Sequence, residues 1–303
     1  MLVREALREA LRTLAESGIP APELGAELLL MHTLGCDRGQ IHTHPEREIP
    51  DAIAQQYFDL IGQRLTGKPT QYITGHQEFW GLDFAVTPDV LIPRPETERV
   101  VETALEFCHG GRLAADLALP GQPRTSGTDD GPVKLVDVGT GSGCIALAMA
   151  SELPGAEIHA VDISRLALAV AERNAARLKL TGHVRFRESD LLRTLLADGA
   201  AGTFDFVVSN PPYVALNDLE DVQREVKEFE PRVAWGGLAR ADEIYRRLFP
   251  EALQLLKPGG RVVVEIGYKM REAVVGLLGA GWHRIEVHPD LSGIPRVVAA
   301  QRV

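Results

Sequence analysis

From residue 133 onward, segments typical of buried strands alternate with segments typical of helices, and this alternation constrains the fold more than any other feature. We predict strands at 133–138, 157–161, 183–187, 204–209, 260–266, 285–287 and 296–301, and helices at 144–152, 165–178 and 241–256. Such alternation is typical of a mostly parallel sheet that is covered on both faces. The last two strands have no helix between them, so the final strand is expected to be antiparallel. The predicted fold class is therefore α/β.

The first 110 residues have a different character. Leu7, Leu11 and Leu14 lie on one face of a first predicted helix, Pro22 opens a second, and a third covers 53–65. This helical region could be a bundle that packs only on itself or a substrate-recognition domain, and the two interpretations are compatible. It is followed by a predicted β-hairpin at 78–86, a helix that ends near residue 108, and a surface loop or linker at 110–132.

Composition excludes several classes of protein. The chain of 303 residues is 45% hydrophobic and 24% charged, as in ordinary globular proteins, and it has no apolar run long enough for a membrane span. Its net charge of -10 does not favour a nucleic-acid backbone as the main ligand. The three cysteines are scattered singly, without metal-ligand spacing, which indicates a reducing, cytoplasmic environment.

A glycine-rich loop follows the first predicted strand of the α/β region. Its sequence is Asp137-Val138-Gly139-Thr140-Gly141-Ser142-Gly143, and it opens a helix. Glycines allow a sharp turn and a close approach of ligand to backbone. A second acidic residue, Asp162, ends the next strand about 20 residues later, where a carboxylate can accept both ribose hydroxyls. The pair predicts a nucleoside ligand without phosphate; the alternative is that Asp162 only caps the following helix.

The most specific motif is Asn210-Pro211-Pro212-Tyr213, directly after the strand at 204–209. In open α/β sheets, ligands bind outside the carboxyl ends of the strands. An amide or aromatic amine is a poor nucleophile because its lone pair is delocalised. The Asn210 side-chain oxygen and the Pro211 carbonyl can accept both N–H bonds and turn the lone pair outward, while the prolines hold these acceptors rigid and Tyr213 stacks on the planar group. No general base is strictly required, because the proton leaves from a cationic product.

These motifs, with several others, resemble the peptide chain release factor N5-glutamine methyltransferases, the PrmC/HemK family. The resemblance covers nearly the whole chain. It is carried by Gly67-Lys68-Pro69, Tyr72-Ile73-Thr74-Gly75, Glu78-Phe79-Trp80-Gly81, Val90-Leu91-Ile92-Pro93-Arg94-Pro95-Glu96-Thr97-Glu98, the glycine loop, Asn210-Pro211-Pro212-Tyr213, Glu225-Val226, Glu230-Pro231, Glu265-Ile266-Gly267 and Asp290-Leu291-Ser292-Gly293.

The resemblance implies a seven-stranded, Rossmann-like methyltransferase sheet that uses S-adenosyl-L-methionine. It also implies a helical substrate-recognition domain at 1–75, a β-hairpin and linker helix at 76–110, and the methyltransferase domain at 111–303. The implied reaction is N5-methylation of the glutamine in the Gly-Gly-Gln motif of class I release factors, which act in translation termination. We expect a cytoplasmic monomer with no membrane partner and no direct nucleic-acid partner.

By motif match, the resemblance also assigns the site. The catalytic residues are Asn210, Pro211, Pro212 and Tyr213, and the cofactor-binding residues are Gly139, Thr140, Gly141, Ser142, Gly143, Asp162, Leu191 and Asn210, with no metal ligand. The chain departs from the family in a longer 110–132 loop, in Leu191 where an aromatic residue is common, and in Trp235 where a leucine is common, which we expect to be a packing difference.

Several further residues have two interpretations each. Arg94, Glu96 and Glu98 either border the cofactor cleft or cap a helix, Glu230 either anchors the loop after the tetrapeptide or acts in the site, and the role of Glu265 is open. Cys144 is expected to be a small buried residue and not a nucleophile.

Three other functions compete with the implied one. Glutamine methylation of a ribosomal protein is disfavoured by the form of Ile92-Pro93-Arg94-Pro95-Glu96-Thr97-Glu98. Adenine N6-methylation of DNA is disfavoured by the acidic charge and the lack of a basic or aromatic recognition domain. A non-catalytic binding module is disfavoured by the intact tetrapeptide.

Overall fold

The structure is a computed structural model that describes residues 1–110 and 132–303. The loop or linker predicted at 110–132 lies, apart from its two end residues, outside the described residues. The chain divides into two compact units, one of Met1–His76 with Gln223–Phe229 and one of Gln77–Val222 with Glu230–Val303. Across 1–110 and 132–303, no helix has both the length and the apolar character needed to cross a lipid bilayer.

The elements are numbered here in chain order over the described residues. The helices are α1 (Val3–Glu16), α2 (Pro22–Leu34), α3 (Arg38–Thr43), α4 (Asp51–Leu65), α5 (Thr70–Thr74), α6 (Glu98–Cys108), α7 (Cys144–Glu152), α8 (Arg165–Arg177), α9 (Arg193–Ala197), α10 (Arg224–Phe229), α11 (Arg232–Trp235), α12 (Glu243–Leu255) and α13 (Arg271–Val275). The strands are β1 (His76–Phe79), β2 (Leu82–Ala85), β3 (Lys134–Val138), β4 (Glu157–Asp162), β5 (Val184–Glu188), β6 (Phe204–Ser209), β7 (Val214–Ala215), β8 (Gly236–Leu238), β9 (Leu256–Glu265), β10 (Trp282–Pro289) and β11 (Pro295–Arg302). Two 3₁₀ turns cover Pro95–Thr97 and Leu216–Asp221.

The first unit packs α1, α2 and α4 around an apolar core. The buried face of α1 carries Val3, Ala6, Ala10 and Leu14, at the three- to four-residue spacing of an amphipathic helix. Pro22 occupies the first position of α2, as predicted, where its missing N–H costs no helical hydrogen bond. The three predicted helices are confirmed, whereas α3 and α5, of six and five residues, were not predicted.

Helix α10 belongs to the first unit although it lies far along the chain. The Arg64 guanidinium, which is only 4% exposed, forms an ion pair with Glu225 of α10 and donates a hydrogen bond to the Lys68 carbonyl at 3.1 Å. A buried charge without a partner is strongly destabilising. The carboxylate of Glu225 is therefore part of what makes this helical unit stable.

In the second unit, the hairpin β1–β2 packs on α6 and α7. Phe79 and Phe84 are fully buried and meet edge to face with ring centroids 6.1 Å apart. The turn consists of Trp80 and Gly81 with φ of +56° and +69°, the left-handed geometry of a tight hairpin turn. The Trp80 N–H donates to Glu98 at 2.8 Å, which ties the turn to the start of α6. The predicted hairpin is confirmed.

The centre of the second unit is a sheet that, among the described residues, has seven strands in the order β10-β11-β9-β6-β3-β4-β5. The five strands from β9 to β5 are parallel, and β11 is antiparallel to both β9 and β10. The predicted α/β class and the antiparallel final strand are confirmed. The closing strands are longer than predicted, and β9 begins at Leu256, which the sequence assigned to the preceding helix.

The strand order reverses at β3. The chain runs from β3 outward through β4 to β5 and then crosses to β6 on the other side of β3. In register, Val138 at the end of β3 pairs with Val161 of β4 and Ser209 of β6. The peptides that follow these strands therefore emerge side by side, at the place where open α/β sheets bind ligands.

Candidate active site

A cavity of about 330 Å³ opens at the carboxyl ends of β3, β4 and β6, within the second unit. It is lined by the glycine loop 139–142, the segment after β4, the peptide after β6 and the segment 89–97. Of the predicted site residues, Gly139, Thr140, Gly141, Ser142, Asp162, Leu191, Asn210, Pro211 and Pro212 line this cavity. The carboxyl end of the sheet thus brings residues from both sequence motifs to one cavity.

The glycine loop is held from inside by Asp137. This carboxylate is fully buried, and its Oδ2 accepts hydrogen bonds from the Thr140 hydroxyl at 2.6 Å and the Ala146 N–H at 3.2 Å. Gly139 and Gly141 have φ of +70° and +56°, and a Cβ on Gly139 would meet only open space. At these two glycines, therefore, no side chain stands between the backbone and a ligand in the cavity.

Gly143, the last glycine of the loop, serves helix packing and not the cavity wall. Its φ is +83°, and a Cβ there would lie 3.1 Å from both Ala171 and Leu147. Gly143 is not part of the cavity lining formed by the described residues. It allows close packing of α7 against α8, so its contribution to the cavity is indirect.

Burial raises the pKa of Asp137 from an ordinary 3.8 to about 7. A carboxyl whose pKa is higher in the folded state stabilises the fold below pH 3.8, and this stabilisation is lost as the pH rises towards 7. The free energy of unfolding of Asp137→Asn should lack this decline, because asparagine is neutral throughout. We expect the difference in unfolding free energy between variant and wild type, from urea titrations, to shift in favour of the variant between pH 5 and 7.5.

Glu265 is a second buried carboxyl with a pKa raised by burial to about 7. Its titration changes the free energy of unfolding equally in the wild type and in Asp137→Asn, so it cancels in the difference between them. Parallel curves for wild type and variant across this pH range would contradict the assignment of a neutralised Asp137.

Asp162 joins β4 to the glycine loop. Its Oδ2 accepts from the Gly141 N–H at 2.9 Å, and its Oδ1 accepts from the Ser164 N–H at 2.9 Å. The cap of α8 is instead Ser164, whose hydroxyl accepts from the Ala167 N–H at 3.2 Å. The interpretation of Asp162 as only a helix cap is therefore wrong. Burial raises the pKa of Asp162, while hydrogen bonds from the backbone N–H groups of Ser164, Gly141 and Ile163 lower it.

Leu191 lies in a loop that α12 holds in place. Its backbone is left-handed, with φ of +53°, a strained geometry for leucine. On one side Arg247 donates to both oxygens of Asp190 at 2.6 Å, and on the other the Leu192 N–H donates to Glu251 at 2.9 Å. These contacts fix the Leu191 side chain against the cavity.

Asn210 is oriented by a residue that the sequence did not single out. Its side-chain nitrogen donates to the Thr97 hydroxyl at 2.9 Å, and that hydroxyl donates to Glu265 at 2.6 Å. Just before it, the Ser209 hydroxyl donates to the Val138 carbonyl at 2.7 Å, which fixes the end of β6. With its nitrogen engaged, the Asn210 side chain keeps its oxygen as an acceptor.

Tyr213 lies beside the cavity and outside the lining that the described residues form. Its ring packs so closely on Gly267 that a Cβ there would lie 2.7 Å from the ring. Its hydroxyl lies 3.4 Å from Glu265, and burial raises its pKa above the usual range.

The Ile-Pro-Arg-Pro-Glu-Thr-Glu segment is anchored by Glu230. This carboxylate accepts from the Ile92 N–H at 3.2 Å and from the Arg94 guanidinium at 2.5 Å, while its own carbonyl accepts from the indole of Trp235 at 3.2 Å. Arg94 lines the cavity, whereas Glu98 is held by the Trp80 N–H. The anchoring interpretation of Glu230 fits these contacts, and Trp235 is a buried packing residue, as expected.

Glu96 and Cys144 can be placed more briefly. Glu96 is exposed and lies outside the lining formed by the described residues. Cys144 lines the cavity, but burial raises the pKa of its thiol to about 12, so it is a neutral packing group and not a nucleophile.

The sheet order, the glycine loop, the acid at the end of β4 and the tetrapeptide after β6 define a Rossmann-like methyltransferase fold. Residues 5–75 match the family model described as the PrmC N-terminal domain, and 128–228 match the methyltransferase small domain. Among solved structures, the hMettl16 catalytic domain in complex with the MAT2A 3'UTR hairpin 6 aligns with a TM-score of 0.53 at 16% identity, over 80% of this chain and 81% of that one. That likeness concerns the fold alone.

Curated relatives match over the full length. The release factor glutamine methyltransferase of Koribacter versatilis is 44% identical over 100% of this chain and 99% of that one. The protein of the same name from Moorella thermoacetica is 41% identical over 100% and 99%. The chain belongs to the release factor glutamine methyltransferase family.

Proposed function

We propose that this protein transfers a methyl group from S-adenosyl-L-methionine to the side-chain nitrogen of the glutamine in the Gly-Gly-Gln motif of class I release factors. The observation that carries the proposal is the Asn210 side chain, which lines the cavity with its nitrogen bound to Thr97 and its oxygen left to accept. The names of the full-length relatives support the substrate.

The residues at the end of β3 and β4 fit such a cofactor. The bare backbone of Gly139 and Gly141 leaves room for an amino-acid portion, and the Asp162 carboxylate on the cavity wall can accept both hydroxyls of a ribose. Leu191, held at its strained position, supplies an apolar cover for the adenine. Thr140 and Ser142 complete the loop. The cofactor, when bound, supplies an electrophilic sulfonium methyl group.

The chain's own contribution to chemistry is the orientation of a carboxamide. We assign one N–H of the substrate to the Asn210 side-chain oxygen and the other to the Pro211 carbonyl, while Pro212 bounds the planar group and Tyr213 supports this wall from outside the lining that the described residues form. Holding both N–H bonds turns the nitrogen lone pair towards the methyl donor. Orientation of this kind supplies about 7–11 kcal/mol of a reaction barrier. The cationic product then loses a proton, so no strong base is needed.

The remaining assignments follow from the proposed reaction. The helical domain at 1–75 is assigned to recognition of the release factor, and the methyltransferase domain at 111–303 to catalysis. We place the protein in the cytoplasm as a monomer without a direct nucleic-acid or membrane partner. Neither the ribosomal-protein nor the DNA alternative is favoured by the relatives' names.

The deciding experiment is incubation of the protein with methyl-labelled S-adenosylmethionine and a class I release factor. The matched control substrate is the same factor with its Gly-Gly-Gln glutamine replaced by alanine, and further arms contain ribosomal proteins or DNA. We expect label only on the unaltered factor, on one glutamine in a peptide map. Label on the alanine factor, or only on DNA or a ribosomal protein, would refute the proposal.

A further inference from the structure

Three side chains from distant parts of the sequence form a row that starts in the cavity wall with Asn210 and Thr97 and ends at Glu265, outside the lining that the described residues form. The Asn210 side-chain nitrogen donates to the Thr97 hydroxyl at 2.9 Å, and the Thr97 hydroxyl donates to Glu265 at 2.6 Å. Thr97 and Glu265 are 2% and 1% exposed, so water does not compete for these bonds. The row ends at a carboxylate, which in its ionised form can only accept.

The direction of each hydrogen bond in the row follows from that carboxylate. Because ionised Glu265 only accepts, the Thr97 hydroxyl must point its hydrogen at Glu265 and present lone pairs to Asn210. A lone pair can only receive a donor, so the Asn210 amide must turn its nitrogen towards Thr97. Its oxygen, the acceptor that the substrate nitrogen requires, is then the atom that remains.

We propose that Thr97 and Glu265 are positioning residues that fix the polarity of the Asn210 amide, so that the cavity receives an acceptor and not a donor while Glu265 is ionised. The inference rests on the proposed function, since an acceptor is useful only for a substrate N–H. Without the row, the Asn210 amide could flip. A flipped amide would present N–H to the substrate N–H and repel it.

Protonation of Glu265 would weaken this control. A protonated carboxyl can donate to Thr97, which frees the Thr97 hydrogen for the Asn210 oxygen and permits the flipped amide. Burial raises the pKa of Glu265 to about 7. The groups that face it are Thr97, Tyr213, whose hydroxyl lies 3.4 Å away, Arg296, which lowers the pKa, Glu96, which raises it, Cys144, and Tyr245, whose hydroxyl donates to the Glu265 carbonyl at 2.7 Å.

The test compares Thr97→Val, which keeps the shape but lacks the hydroxyl, with Thr97→Ser, which keeps the hydroxyl. We expect Thr97→Val to lower kcat for release-factor methylation by about 10- to 100-fold, with affinity for S-adenosylhomocysteine retained and with activity rescued in Thr97→Ser. Thr103→Val is the matched control, because the Thr103 hydroxyl is fully buried and has no hydrogen-bond partner among the described residues. Full activity in Thr97→Val, or equal losses in the valine and serine variants, would overturn the proposal.

Glu265→Gln provides a second variant, since glutamine has the same shape but can donate as well as accept. We expect kcat of the wild type to fall severalfold as the pH drops from 8 to 6, and kcat of Glu265→Gln to be lower but flat over this range. Equal pH profiles for the two proteins would contradict the role of Glu265.

A readout without the release factor separates this inference from the proposed function. In the ¹⁵N spectrum of the protein with S-adenosylhomocysteine, the Asn210 side-chain NH2 should exchange slowly with solvent in wild type and Thr97→Ser. It should exchange faster in Thr97→Val. Absence of this difference overturns the inference, whereas a wild type that leaves release factors unlabelled overturns the proposed function alone.

Discussion

Replacement of Asn210 by alanine is expected to abolish methyl transfer, a loss in kcat of about 10³-fold or more. The reason is that alanine removes the side-chain acceptor that lines the cavity, whose geometry Thr97 maintains. The glycine loop and Asp162 are unaffected, so affinity for S-adenosylhomocysteine by calorimetry should change little. The measurement is single-turnover labelling of a class I release factor with saturating enzyme.

Asn217→Ala is the matched control, since Asn217 is exposed on the 3₁₀ turn a few residues further along the chain. Its kcat should equal that of the wild type. An Asn210→Ala protein that methylates at the wild-type rate would show that the carboxamide is not held by this residue.

The second large effect is on stability, in Asn174→Leu. Asn174 is fully buried in α8, where its side-chain oxygen accepts from the Ala85 N–H at 2.8 Å and its nitrogen donates to the carbonyls of Ala85 at 3.0 Å and Ser142 at 2.9 Å. Leucine has similar volume but leaves one donor and two acceptors buried without partners. At about 1–3 kcal/mol for each of these three groups, we expect the free energy of unfolding in urea to fall by about 3–9 kcal/mol.

Arg173→Leu serves as the control, because it makes a comparable polar-to-leucine change at the neighbouring, exposed position of the same helix. Its free energy of unfolding should stay within about 0.5 kcal/mol of the wild type. If Asn174→Leu unfolds at the same urea concentration as this control, the three hydrogen bonds do not hold the hairpin and the glycine loop to α8.

Patterns within short stretches predicted the seven strands of the central sheet and the three longest helices of the α/β region. They did not predict its shorter elements α9, α10, α11, α13, β7 and β8. The bounds of α7 and β6 agree with the sequence-based ranges, because each is a mostly apolar segment with a clear signal at one end: Gly143 before α7 and the prolines that follow Asn210 after β6. The short helices α3 and α5 were missed because one or two turns carry too few residues for a period to be visible. For α3 a local signal did exist, since Asp37 and Gln40 form a reciprocal cap at its start.

The site was predictable only as far as its residues follow one another in sequence. The glycine loop and the tetrapeptide carry recognisable spacing, and the fold brings them to one cavity. The partners that orient them come from far away: Thr97 and Glu265 are 168 positions apart, and Ile92 and Glu230 are 138 apart. A single sequence contains no periodic trace of such pairs, because only the packed sheet determines which strand ends meet.

The ion pair between Arg64 and Glu225 can form only late in the synthesis of the chain. These residues are 161 positions apart, so at about 5–20 residues per second the ribosome adds the carboxylate roughly 10–30 s after the guanidinium. During that interval, any fold of the N-terminal helices has the Arg64 guanidinium without its carboxylate partner. A nascent chain stopped before residue 225 should therefore carry a protease-sensitive helical unit, which becomes resistant when the missing segment is supplied as a separate peptide.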